Sequence, residues 1–126
     1  MTYACVLVPR LPQHKLVRDL AKKLEEWLPQ ICLAFNWRLE QLAVRPDYMQ
    51  WMVSAHSATS PRYLMQIITR TTSQRIFYHL PRLGDDNPSG EFWAPGWLVL
   101  SNSKVPPPEV VQEFIEKTRH RQGLEP

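Results

Sequence analysis

The chain has 126 residues, 44% hydrophobic and 21% charged, with a formal net charge of +3. That size and apolar content suit one domain over residues 1–126 with a real core, and exclude a disordered chain. No apolar run reaches the length of a membrane span and no signal peptide precedes the first strand, so a cytoplasmic protein with no membrane partner is expected. The mild basic balance is compatible with a nucleic-acid surface without proving one.

Residues 2–9 are rich in β-formers (Tyr3, Val6, Leu7, Val8) and read as a strand buried on both faces, ended by Pro9 and Pro12. Residues 13–35 read as a helix, because Leu16, Leu20, Leu24, Trp27, Leu28 and Ile31 recur at three- and four-residue steps. Lys15, Arg18, Lys22 and Lys23 meet Asp19, Glu25 and Glu26 on its wet side, a solvated face. Pro29 should kink this helix or split off its last turn, since it lacks an N–H. Asn36 is a plausible stop. Residues 37–45 form the next strand, and the Pro46-Asp47 turn makes it a hairpin with the strand that follows.

That following strand is the one around which the chain is organised. Tyr48, Gln50, Met52 and Ser54 share one face, and Met49, Trp51, Val53 and Ala55 share the other. The second face is continuously apolar and must be the core side. The first presents two polar side chains, Tyr48 and Gln50, two residues apart.

Ser60 followed by Pro61 starts a second helix carrying Leu64, Ile67, Ile68, Thr71, Thr72, Ile76 and Phe77, ending near Tyr78. Residues 83–90 read as a surface loop without helix or strand pattern. Residues 92–100 are the fourth strand, interrupted near Pro95-Gly96. After three consecutive prolines, Pro107 or Pro108 starts a last helix over about residues 107–121. Its inner side is marked by Val110, Val111, Phe114, Ile115 and Thr118. Strand, helix, strand, strand, helix, strand is the α+β ferredoxin-like split βαβ arrangement with an antiparallel sheet, extended here by the C-terminal helix.

Four segments carry a family resemblance. Pro46-Asp47-Tyr48-Met49-Gln50-Trp51-Met52-Val53 resembles the Pro-Asp-His-Val-His-Leu-Leu-Val segment of the single-tyrosine transposases of bacterial insertion sequences, REP-associated ones included. These belong to the HUH endonuclease class. Thr59-Ser60-Pro61 with residues 67–75 resembles that family's next helix. Phe92-Trp93-Ala94-Pro95-Gly96-Trp97-Leu98-Val99 resembles its Leu-Trp-x-x-x-Tyr-Phe-Val strand, and residues 110–118 its Val-x-x-Tyr-Ile-x-x-Gln helix. The four occur in the family's order and span nearly the whole chain.

The resemblance implies the same fold, a homodimer joined through its sheets with each active site completed by the partner's last helix, and DNA hairpins or single strands as partners. It also implies a divalent metal held by two histidines and a glutamine, and a tyrosine that attacks the scissile phosphate. At those positions this chain has Tyr48 and Gln50 for the histidines, Phe114 for the tyrosine and Thr118 for the glutamine. A phenol and a single carboxamide hold Mg²⁺ or Mn²⁺ weakly, and a phenyl ring has no oxygen to attack with. The expectation is a degenerate member with no metal, no cofactor and no catalytic residue. Its use would be regulatory or architectural. An active transposase with an unconventional site, in which Tyr48 is a relocated nucleophile, and a protein-interaction module with a protein partner are the alternatives.

The four histidines, at 14, 56, 79 and 120, show no ligand spacing. Cys5 and Cys32 read as reduced, buried thiols rather than a bridge or a metal site. Arg45, Arg62, Arg70, Arg75, Lys104, Arg119 and Arg121 are the candidate phosphate contacts, with Arg82 in a turn. Tyr63, Trp93 and Trp97 are either base-stacking platforms or core.

Overall fold

The computed structural model describes residues 1–101 and 103–124. Strand β1 (Thr2–Leu7) is followed by helix α1 (Arg18–Ala34), the hairpin β2 (Arg38–Arg45) and β3 (Tyr48–Ser54), and helix α2 (Pro61–His79). A short helix α3 (Pro81–Asp86), strand β4 (Leu98–Leu100) and helix α4 (Pro108–Arg121) complete the chain. The four strands form one antiparallel sheet in the order β2-β3-β1-β4. This is the expected α+β ferredoxin-like arrangement, with the C-terminal helix added.

Register fixes which side chains share a face. Leu42, Trp51, Cys5 and Val99 stand in one row, and Val44, Met49 and Leu7 in the next. These rows face α1 and α2, where Leu20, Leu24, Leu28, Leu64, Ile68 and Ile76 complete the core. On the opposite face one row reads Ala43, Gln50, Val6, Leu98 and another Gln41, Met52, Ala4, Leu100. Ala4, Val6 and Met52 are buried too, so the second face is covered as well as the first. Val105 and Pro106, leading into α4, line a small hollow with Gln50 and Met52 and supply part of that cover.

Local signals explain most element ends. Ser60 accepts the Tyr63 N–H at 3.1 Å and Pro61 takes the first helical position of α2. The end of α1 is a Schellman motif: Asn36, at φ 60°, donates to Leu33 O, and Trp37 N donates to Cys32 O at 2.8 Å. A β-bulge lies between Leu39 and Gln41. Leu39 and Leu42 are an odd number of residues apart, and the bulge lets both reach the core face.

Four expectations change. Helix α1 begins at Arg18 rather than near Gln13. The preceding residues instead cross the hairpin end of the sheet, where Leu16 N donates to Pro46 O at 2.9 Å and His14 stacks on Phe92. Pro29 does not split off the last turn of α1, which runs on to Ala34, and its ring is exposed. The stretch read as a loop over 83–90 contains most of α3. Pro81 starts it, Leu83 packs on the core, and the buried Asn87 closes it by donating to Glu91 O and accepting from Ser89. Six residues are too few for periodicity to reveal. The fourth strand is shorter than expected. Trp93 bridges Pro9 and Leu98 pairs with Val6, so five residue steps on one side match three on the other. Gly96, at φ 88°, absorbs the excess, as the Pro95-Gly96 interruption foretold.

Both cysteines are free and buried. Burial, with Cys32 nearby, pushes the Cys5 thiol up to about 12, and burial pushes Cys32 up to about 11. Unfolding lets them ionise near their ordinary value, so the stability they supply is complete below pH ~9 and is lost as pH rises through about 11 for Cys32 and about 12 for Cys5, by up to about 1.4 kcal/mol per pH unit per thiol. The urea midpoint should therefore fall across that window, and less steeply in Cys32→Ala. Identical slopes would remove Cys32 as a cause.

Candidate functional site

The site to be tested is the second sheet face where β3 begins. The Asp47 turn aims Tyr48 and Gln50 onto it, and cross-strand pairing places Arg45 beside Tyr48 and Ala43 and Val6 on either side of Gln50. Tyr48 is half-buried. Gln50 Oε1 is buried with no hydrogen-bond partner among the described residues, because its strand neighbours are small and apolar.

Helix α4 carries the other two positions, Phe114 and Thr118. Val111, Thr118 and Arg119 are buried, and Phe114 and Ile115 half-buried, which defines its inward stripe. Phe114 and Thr118 thus lie on the inward side as their spacing required. The Thr118 hydroxyl donates to Phe114 O at 2.8 Å. Gln112, Ile115, Glu116 and Arg119 line a hollow together with Pro12, Lys15 and Asp47, beside the start of β3.

Arg119 decides how α4 is seated, and here the sequence reading is corrected. Read as a phosphate contact, it is only 7% exposed. Its guanidinium donates to Pro9 O at 2.8 Å, Arg10 O at 3.2 Å and Gln122 Oε1 at 2.8 Å, and Gln122 Nε2 donates to Arg10 O. Burial lowers its pKa from the ordinary value, and the Asp47 carboxylate opposes that shift. Its Nη1 is committed to the backbone that leaves β1 and to Gln122, and the side chain is buried, so it ties α4 to the sheet rather than presenting a charge at the surface. Arg119→Ala would orphan Pro9 O. A loss of about 1.5–3 kcal/mol is expected, the range for a hydrogen bond to a charged group. Tryptic cutting after the exposed Lys104 should quicken as α4 loosens. Unchanged digestion and melting would show that other contacts hold the helix.

The remaining cations divide between two layers. Arg45 pairs across the hairpin with Tyr48 and borders the sheet face just described, and Arg121 lies at the end of α4. Arg121 lines a second hollow with Pro95, Gly96 and Thr118, its Nη2 lying 3.5 Å from Thr118 Oγ1. Lys104 is exposed in the segment leading to α4. Arg62, Arg70 and Arg75 sit on α2, which packs against the opposite sheet face, and Arg75 donates to Gln30 Oε1 at 3.1 Å. Arg82 is exposed on α3 rather than in a turn. Of the aromatics, Trp93 is core at 2% exposure and cannot stack on a base, Trp97 is half-buried, and Tyr63 is 48% exposed.

The family's divalent metal does not fit these residues. Tyr48, Gln50 and Thr118 offer three neutral groups, of which the Thr118 hydroxyl is engaged with Phe114 O. Gln50 Oε1 is left as one lone acceptor, where hard divalent cations want several oxygens, usually carboxylates among them. Among the described residues no three His, Cys, Asp or Glu side chains group as a metal site, and no helix is long and apolar enough to cross a membrane.

Solved structures share this fold. A candidate transposase of Deinococcus radiodurans R1 superposes with a TM-score of 0.83 at 23% identity, over 94% of this chain and 90% of that one. A REP-associated tyrosine transposase bound to a REP hairpin superposes with a TM-score of 0.53 at 11% identity, over 97% of this chain and 68% of that one. No curated protein matches the chain. The sequence profile of the IS200-like transposases matches residues 1–118, from the first strand to Thr118, and the chain belongs to that family.

Proposed function

We propose that this member of the IS200-like transposases is catalytically inactive and works as a dimeric, cytoplasmic nucleic-acid-binding protein in a regulatory or architectural role. One observation carries the reading. The fold is kept, yet each position that the resemblance assigns to a ligand or the nucleophile holds a different residue. Selection that keeps a scaffold while its chemical groups are gone points to binding as the retained use. The hairpin bound by the REP-associated relative supports a structured DNA ligand.

The proposed hairpin contacts are Arg45 beside Tyr48, Arg121 at the end of α4, and Lys104. Anisotropy titrations with labelled hairpin DNA test this. Affinity should fall steeply with salt, with a log–log slope of about −0.7 to −0.9 per phosphate. Arg45→Ala with Arg121→Ala should flatten the slope by about 1.4–1.8, the sum for two contacts. Arg70→Ala with Arg75→Ala should change it less. The reverse ranking would move the surface to α2. No binding to DNA or RNA at low salt would favour an interaction module instead. That second reading has its own support in the apolar end of the helix layer, where Leu33 is 77% exposed and Phe35 and Tyr63 meet edge to face.

A further inference from the structure

A cleft of about 330 Å³ lies on the flank of the helix layer, between the start of α1 and α3. Its apolar floor is Val17, Leu20, Leu80 and Leu83, and its cations are Lys15, Arg18 and Arg82. Asp19 also lines it, so the lining carries three positive charges against one negative. Lys15 is paired with Asp47. Arg18 and Arg82 are exposed and have no ion pair or hydrogen bond from their side chains among the described residues.

Residues so far apart in sequence meet because α1 and α2 pack antiparallel, which sets Leu20 near Leu80 at one end and Phe35 against Tyr63 at the other. Lys15 lines both this cleft and the hollow under α4. The two recesses are thus neighbours across one side chain.

We propose that the cleft seats one unpaired nucleotide of a single strand that extends from the bound hairpin. The apolar floor takes the face of the base, and the Arg18 and Arg82 guanidinium groups take the flanking phosphates. The volume lies in the range of small-ligand pockets. Two unpaired arginines around an apolar floor match the division of a nucleotide into charged and apolar halves. A protein surface would have to supply carboxylates at the spacing of successive phosphates, so the single strand is the simpler fit. The assignment rests on the nucleic-acid reading above and names a second contact region for it.

The test compares a blunt hairpin with the same hairpin carrying a short single-stranded extension, titrated against the full chain at several salt concentrations. The wild type should bind the extended DNA more tightly, with a salt slope steeper by about 1.4, two single-strand phosphates at about 0.7 each. Arg18→Ala with Arg82→Ala should abolish both the preference and the added slope while leaving blunt-hairpin binding unchanged. Arg18→Lys with Arg82→Lys should keep most of the preference, which a merely structural role would not explain. Both arginines are exposed, and equal melting temperatures will confirm folding. A wild type that does not distinguish the two DNAs overturns the cleft, as does an alanine pair that keeps the preference; either leaves hairpin binding standing. Failure to bind both DNAs overturns the underlying reading as well.

Discussion

Incubated with hairpin-flanked single-stranded DNA and Mn²⁺, the protein is expected to yield no covalent protein–DNA band on a denaturing gel. The deficit against an active relative should be at least about 10⁶-fold, the lower range of enzymatic rate enhancements. Phe114 brings no oxygen to the phosphorus, and the neutral set of Tyr48, Gln50 and Thr118 offers no place for the ion that would polarise it. Adding parts singly should restore nothing. Phe114→Tyr supplies a nucleophile without a metal, and Tyr48→His with Gln50→His supplies ligands without a nucleophile. Groups that act as a unit are strongly non-additive, so activity should require these three changes and Thr118→Gln together. There is room for that last change: Thr118 borders a hollow of about 260 Å³ at Pro95-Gly96, into which a longer side chain can extend. A covalent band from the unmodified protein that vanishes in Tyr48→Phe would make Tyr48 a relocated nucleophile and end the inactive reading.

The hairpin and the two faces of its second strand were legible because side chains alternate from Tyr48 and Pro46-Asp47 marks the turn, whereas the bulge between Leu39 and Gln41 was not. The same alternation named Met49, Trp51 and Val53 as core, and all three are buried. What escaped was decided by tertiary contacts. Helix α3 is shorter than any helical period can reveal. The early residues of the expected first helix were drawn away by the Pro46 carbonyl and the Phe92 ring, neither of which is near them in sequence. Arg119 was masked by its setting, since Arg119-His120-Arg121 looks like a solvated basic end. A signal existed: Val111, Ile115, Thr118 and Arg119 continue one stripe at steps of four, seven and eight, which puts Arg119 on the buried side despite its charge. Lys15, Arg18 and Arg82 could not be joined from sequence, because only the packing of α1 on α2 and α3 brings them to one cleft.

The second large effect concerns the joint between α2 and the segment entering the fourth strand. Trp93 is fully buried, and its indole N–H donates to Thr72 Oγ1 at 2.8 Å. That hydroxyl donates in turn to Ile68 O at 2.6 Å, and the next residue, Ser73, accepts the Phe92 N–H at 3.0 Å. Two adjacent hydroxyls on one helix face thus anchor two adjacent residues of an extended segment. Trp93→Ala removes a large apolar body and leaves a cavity, for which about 3–5 kcal/mol is expected. Against a total of about 5–15 kcal/mol, that is a large share of the stability, and melting should drop by roughly 10–20 °C. Thr72→Val keeps the volume but strands the indole N–H, so about 1–3 kcal/mol should be lost. Thr72→Ser keeps the hydroxyl and should lose less than the valine variant. Urea denaturation of Trp93→Phe, Thr72→Val and the pair together should give a coupling of about 0.5–1.5 kcal/mol, the net worth of one such bond. Strict additivity would mean that the hydrogen bond contributes nothing and that Trp93 acts by volume alone. A Trp93→Ala loss below about 1 kcal/mol would contradict its place in the core and reopen it as a surface ring available to a base.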